Sequence, residues 1–133
     1  TSERCELKLR GEERADKKLE HWRRIAIAAC EQSGRNRLPV INEPMPVDEW
    51  AAAMQADLRL VLAPAVTSAM PHDIQPASIA LLIGPEGGLS GREIAHAIAN
   101  GFLPWQLGTR VMRTETAPVA ALAVLQSRFG DFR

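Results

Sequence analysis

Cysteine is nearly absent from this chain, with only Cys5 and Cys30 among 133 residues. They form no CxxC pair and have no zinc-like spacing to His21, His72 or His96, which excludes a disulfide framework and a structural zinc site. A chain of this size buries roughly two-thirds of its unfolded surface and needs neither kind of staple. The thiols read as free groups of a cytoplasmic protein. No apolar run nears the roughly 20 residues of a membrane span, and no charged-then-apolar leader opens the sequence. Net charge is missing too, since 16 Lys/Arg balance 16 Asp/Glu. That excludes a strongly basic nucleic-acid binder. There is no internal repeat and no low-complexity tract. What is present, 46% hydrophobic and 24% charged residues, is a globular composition, expected to form one domain over residues 1–133.

The balanced total hides an uneven distribution. Residues 1–37 hold 10 Lys/Arg against 7 Asp/Glu, residues 38–100 hold 2 against 7, and residues 101–133 hold 4 against 2. Contact with a polyanion is therefore expected from a local patch built by the two ends.

Periodicity supplies the elements. Cys5, Leu7 and Leu9 alternate weakly, as a short half-exposed strand or an arm. From Asp16, a plausible N-cap, a helix is expected with Leu19, Trp22, Ala26, Ala29 and Ser33 on one face, widened by Ile25 and stopped at Gly34. Leu38–Ile41 reads as a short strand, Asp48 to Met54 as a helix, and Leu58–Leu62 as a strand ended by Pro64. Ser78–Ile83 is an almost unbroken apolar run, the mark of a strand covered on both faces. Ser90 and Glu93 have capping-box spacing and open a helix stopped at Asn100-Gly101. Trp105–Leu107 follows as a strand, and a last helix starts near Ala117 with Pro118 in its first turn. Alternating strands and helices make an α/β domain with a mainly parallel sheet. The last helix is apolar all round from Val119 to Leu125, so burial on a second side, a subunit interface, is expected.

Ligands of such sheets bind beyond the carboxyl ends of the strands. Three segments lie there: Leu62-Ala63-Pro64, Gly84-Pro85-Glu86-Gly87-Gly88, and Gly108 to Thr116. The glycine loop lets backbone approach a ligand. It lacks GxGxxG spacing and any following GK[ST], and Glu86 repels phosphate, so a neutral or cationic ligand fits better. A plain tight turn feeding Ser90 is the alternative. Arg110, Arg113, Thr114, Glu115 and Thr116 gather two guanidinium groups, hydroxyls and a carboxylate. They form either a site or a solvated loop in which Thr114 or Thr116 caps the last helix. Arg35-Asn36-Arg37 after the first helix stands equally between an RNA contact and a solvated exit turn. Nothing orients the three histidines.

Leu81–Ser90 and Leu107–Ala117 together resemble the signature of SPOUT methyltransferases. Within that class, Ala28–Arg37 and Leu125–Asp131 resemble the bacterial family that methylates N3 of a uridine in 16S ribosomal RNA. Ser33 stands where relatives commonly carry cysteine. The resemblance runs from residue 1 to the end. It implies that the chain begins after a small β-rich RNA-binding domain and after the first strand and helix of the SPOUT domain, so that it is a C-terminal part.

The resemblance further implies a deep C-terminal trefoil knot, S-adenosylmethionine as methyl donor, and a homodimer acting on small-subunit RNA with no metal and no membrane. Leu62, Ala63, Gly84, Glu86, Gly87, Leu107, Gly108, Val111 and Met112 would line the cofactor pocket. Arg113, Thr114 and Glu115 would act at the uridine beside Arg35 and Asn36, and Arg37 and Arg110 are taken with them as RNA contacts. The N3 proton must leave or be polarised. An arginine over the uracil carbonyls would stabilise the developing anion. Glu115 is a candidate base weakened by Arg113 beside it, and the sequence assigns no base. Another SPOUT specificity, on transfer RNA or a ribose 2′-hydroxyl, and a cofactor-binding fragment without activity remain open. Taken alone, the chain is expected to bind cofactor and to methylate ribosomal RNA poorly.

Overall fold

The computed structural model describes residues 1–5, 12–63, 70, 71 and 73–132, with side chains from residue 15 onward in the first helix. Leu7 and Leu9, Pro64 and His72 lie outside the described residues; Cys5 is in irregular, half-buried backbone. The chain divides into two units, Leu7–Met45 and Thr1–Glu6 with Pro46–Arg133.

Leu7–Met45 is dominated by helix α1 (Glu12–Ser33). It starts four residues before the expected cap at Asp16, which is therefore an exposed helical residue. Its buried stripe also differs from expectation. Leu19 and Cys30 are buried and Trp22 and Ala26 half-buried, whereas Ile25, Ala29 and Ser33 are exposed. Ser33 turns its hydroxyl back to the Ala29 carbonyl at 2.8 Å. Gly34, at φ +68°, ends the helix as expected. No strand forms at Leu38–Ile41, where Val40 is 82% exposed. Pro39 has no N–H to offer a ladder, and an isolated extended segment gains nothing from its apolar side chains.

The second unit is built on three parallel strands, β1 (Leu58–Leu62), β2 (Ile79–Leu82) and β3 (Leu103–Trp105), in the order β2-β1-β3. Helices α2 (Val47–Ala53), α3 (Gly91–Ala99) and α4 (Thr116–Phe129) complete it. Side chains alternate across the sheet, so two cores form. Val61, Ala80 and Leu82 meet Ala51, Ala97 and Phe102 on the α2–α3 face. Leu58, Leu60 and Trp105 meet Ala121 and Leu125 of α4 on the other, with Ile79 and Leu81 packed against them. The apolar run at β2 is thus covered on both faces, as its composition requires.

Strand β3 lies two residues earlier than expected. The Asn100-Gly101 turn is tight, with the Phe102 N–H on the Ala97 carbonyl at 3.0 Å, and it delivers the chain to the sheet at Leu103. Gly101 takes φ +85°, and a side chain there would meet the Arg59 guanidinium 2.6 Å away. Pro104 is tolerated because β3 is an edge strand. Helix α4 buries a single stripe, Ala117, Ala121 and Leu125, and leaves Val119, Leu122 and Val124 exposed. Its N-cap is Glu115 with no side-chain bond, so neither Thr114 nor Thr116 caps it; the first-turn N–H groups of Thr116 and Ala117 go to the Arg113 carbonyl.

The capping box of α3 is formed in full. Ser90 Oγ accepts the Glu93 N–H at 3.2 Å, and Glu93 Oε2 accepts the Ser90 N–H at 2.8 Å. Glu93 is only 2% exposed, and its Oε1 accepts the Glu3 N–H at 2.7 Å. Glu93→Ala therefore strips the acceptor from two backbone donors, while Ser90→Ala removes one cap. We expect Ser90→Ala to cost about 1 kcal/mol and Glu93→Ala about 2–4 kcal/mol. Urea unfolding followed by circular dichroism measures both, and equal losses would contradict this account.

Candidate active site

Because the strands are parallel, their carboxyl ends share one edge, where Leu62 and Ala63 meet the loops that follow β2 and β3. The Ala63 N–H reaches the Trp105 carbonyl at 3.1 Å and ties the end of β1 to the end of β3. Between the loops lies a cleft of about 440 Å³. Leu62, Ala63, Ile83, Leu89, Ile94, Trp105 and Leu107 form an apolar floor, whereas Glu86, Arg110, Arg113, Thr114 and Glu115 bring the polar groups. A cleft of that volume with few polar groups suits a small organic ligand.

The glycine loop is shaped by backbone contact. A Cβ on Gly84 would sit 2.7 Å from the Leu89 nitrogen, so only glycine lets the loop fold back on itself. The Gly88 N–H closes a turn on the Pro85 carbonyl at 2.8 Å, with Gly88 at φ +70°. Glu86 at the turn is exposed and lines the cleft. The third loop leaves the sheet through Gly108 at φ +78°. Arg113 Nη1 lies 3.9 Å from Glu115 Oε1, with side chains 86% and 70% exposed. Such a pair is loose and screened by water, so both groups are free to engage a ligand. Among the described residues, no group of three or more His, Cys, Asp or Glu is arranged to hold a metal ion.

The family model of the RNA methyltransferase domain matches residues 1–126. The chain belongs to this family. It is 41% identical over 119 residues to the ribosomal RNA small subunit methyltransferase E of Buchnera aphidicola from Schizaphis graminum, covering 86% of this chain and 48% of that protein. The enzyme of the same name from Bacillus subtilis is 32% identical over 127 residues, again with 86% and 48% covered. The chain thus spans about half the length of these curated relatives. A Legionella pneumophila methyltransferase solved with the cofactor SAM superposes with a TM-score of 0.88 at 44% identity, over 95% of this chain and 52% of that one. The Neisseria gonorrhoeae ribosomal RNA small subunit methyltransferase E, bound to S-adenosyl methionine, gives 0.84 at 38% identity, with 96% and 54% covered.

In this methyltransferase domain the cleft gathers most of the residues singled out in the sequence. Leu62, Ala63, Gly84, Glu86, Leu107, Val111 and Met112 line it, as do Arg110, Arg113, Thr114 and Glu115. Gly87 and Gly108 do not: Gly87 lies against Arg4, and Gly108 serves the turn. Arg35, Asn36 and Arg37 belong to the Leu7–Met45 unit, where all three are exposed. Ile83, Pro85, Leu89, Ile94, Trp105 and Ala117 line the cleft without having been expected. Trp105 was missed because its strand was drawn two residues late, which hid it from the carboxyl end. Ile94 had only its place one turn into α3 to announce it.

Gly84→Ala tests the loop geometry. The added methyl forces the loop off Leu89, and a loss of about 1–3 kcal/mol is expected. Thermal unfolding reads the loss, and an unchanged midpoint would show that the loop yields freely.

Proposed function

We propose that the chain is the cofactor-binding and catalytic part of an enzyme that methylates N3 of a uridine in 16S ribosomal RNA, using S-adenosylmethionine. The observation that carries the reading is the convergence of the glycine loop and the Arg110–Thr116 loop on one cleft, because these two segments carry the resemblance to that family. The solved relatives with bound S-adenosylmethionine support the choice of cofactor. The cleft fits it: the apolar floor suits an adenine, and the Glu86 carboxylate suits a cationic group and not a phosphate.

In this reading Leu62, Ala63, Gly84, Glu86, Leu107, Val111 and Met112 hold the cofactor, with Gly87 and Gly108 shaping the loops around it. When bound, the cofactor supplies an electrophilic methyl group on a sulfonium. Arg113 holds the uracil carbonyls and stabilises the negative charge that develops as N3 loses its proton. Glu115 beside it is a candidate carboxylate for that proton, weakened as a base by the Arg113 charge, and Thr114 supplies a hydroxyl to the same ring. Arg110, with Arg35, Asn36 and Arg37, contacts the RNA. A trefoil knot, with α4 passed through a loop of the chain, belongs to the same reading.

Binding of S-adenosylhomocysteine, followed by calorimetry, is the direct test; absence of heat and of any thermal shift at millimolar ligand would defeat the proposal. Arg113→Ala is expected to leave that affinity unchanged and to slow methyl transfer about a hundredfold to a thousandfold. Nucleoside mass spectrometry of small-subunit RNA identifies the product; a methyl group on a ribose or on another base would assign a different specificity. RNA affinity comes mainly from cationic contacts. The acidic middle of the chain offsets the basic first 37 residues, so transfer by residues 1–133 alone should be weak.

We also propose that the chain pairs with a second copy through α4. Val119, Leu122 and Val124 are 69%, 53% and 42% exposed on that helix, an apolar surface with a use only at an interface. Sedimentation should report a dimer, and Leu122→Glu should dissociate it; a wild-type monomer at tens of micromolar would rule this out.

A further inference from the structure

Gly87 stands out within the glycine loop, because neither its position in the cleft nor a left-handed backbone explains it. Its neighbour is the start of the chain. A Cβ on Gly87 would lie 3.0 Å from Arg4 Cβ and 3.2 Å from the Arg4 carbonyl oxygen. Arg4 Nη1 in turn donates to the Gly87 carbonyl at 3.2 Å. Glycine at this position makes room for Arg4.

The segment that presents Arg4 is fastened on both sides. The Val47 N–H donates to the Thr1 carbonyl at 3.1 Å. The Glu3 N–H donates to the buried Glu93 carboxylate at 2.7 Å. Arg92 pairs with Glu3 Oε1 at 2.5 Å and with Asp48 Oδ2 at 2.7 Å, which links the segment to α2 and α3 together. The Ser90 hydroxyl, and after it Arg92, hold the Glu3 carboxyl below its ordinary range. All these partners lie in the unit that contains the cleft.

Among the described residues, the loop is attached to β2 at one end and to the Ser90 cap at the other, and between them the Gly88 N–H bonds the Pro85 carbonyl. Glu86, which faces the cleft, immediately precedes the carbonyl that Arg4 holds. Fixing the Gly87 carbonyl restrains the Gly87–Gly88 peptide, whose N–H closes the turn on the Pro85 carbonyl, and Glu86 stands inside that turn.

We propose that Arg4 is a positioning residue for the cofactor cleft: from outside the cleft it pins the Gly87 carbonyl and holds the glycine loop in its binding shape. This rests on the cofactor reading above and extends it to a residue that does not touch the ligand. It also gives the Thr1–Cys5 segment a role as a strap across the back of the loop.

Arg4→Ala keeps the Cβ nearest to Gly87 and removes the guanidinium with its exposed stem, so a folded variant is expected. Hydrogen exchange of the 84–89 backbone, measured without ligand, should accelerate at least about fivefold while β1 stays as protected as in the wild type. Affinity for S-adenosylhomocysteine by calorimetry should fall about fivefold to tenfold. Arg4→Lys, which keeps a donor on a long stem, should recover most of both effects. Unchanged loop exchange overturns the proposal, as does acceleration spread equally over β1 or a faster loop with unaltered affinity. Should the wild-type chain fail to bind S-adenosylhomocysteine, the cofactor reading falls, and the exchange measurement decides by itself whether Arg4 holds the loop.

Discussion

Val61 has no exposed surface and sits in the central strand, with Leu60, the middle residue of that strand, pointing to the opposite face at 1% exposure. Burying both faces of one strand commits the chain to helices on both sides, α2 and α3 against Val61 and α4 against Leu60. The one of them that joins two strands, α3 between β2 and β3, is the crossover that lets those two run parallel. Parallel strands in turn put the ends of β1, β2 and β3 on one edge. The cleft is a consequence of that edge: its floor is made of the last strand residues and the first residues beyond them.

The polar part of the cleft is organised by different physics. The floor is held by packing, whereas Arg110, Arg113 and Glu115 stand on a loop and remain open to water. A loose pair at 3.9 Å contributes little to folding. Leaving such groups in solvent costs nothing until a substrate brings its own charge and excludes water around them, and from that point they interact strongly. The cleft thus sets a packed apolar floor beneath polar groups that stand in solvent.

The glycines of the loop after β2 do different work, which composition alone would not separate. Gly84 admits the backbone of Leu89, Gly88 supplies a left-handed turn, and Gly87 makes room for Arg4. Glu93 is a comparable case. A carboxylate at 2% exposure is costly unless its oxygens are occupied, and here the Ser90 and Glu3 N–H groups occupy them. A local capping motif has become the anchor of a segment some ninety residues away in sequence.

Local signals in the sequence determined a good deal. The strand at Leu58–Leu62, the double-faced β2, the capping box at Ser90 and the stops at Gly34 and Gly101 all depend on neighbours a few residues apart, so period and turn chemistry sufficed. The two loops that line the cleft were legible for the same reason: each is a contiguous motif. Where an outcome depended on partners distant in sequence, the sequence was silent or misleading. Leu38–Ile41 has strand composition but no strand to pair with, β3 starts where a tight turn meets the sheet, and the buried stripe of α1 is rotated from the one periodicity suggested. That Gly87 packs against Arg4 is a contact across more than eighty residues that no local pattern announces. Hydrophobic pattern fixes which faces must be buried, but only the packed chain decides what buries them, because that choice is made by contacts across the fold.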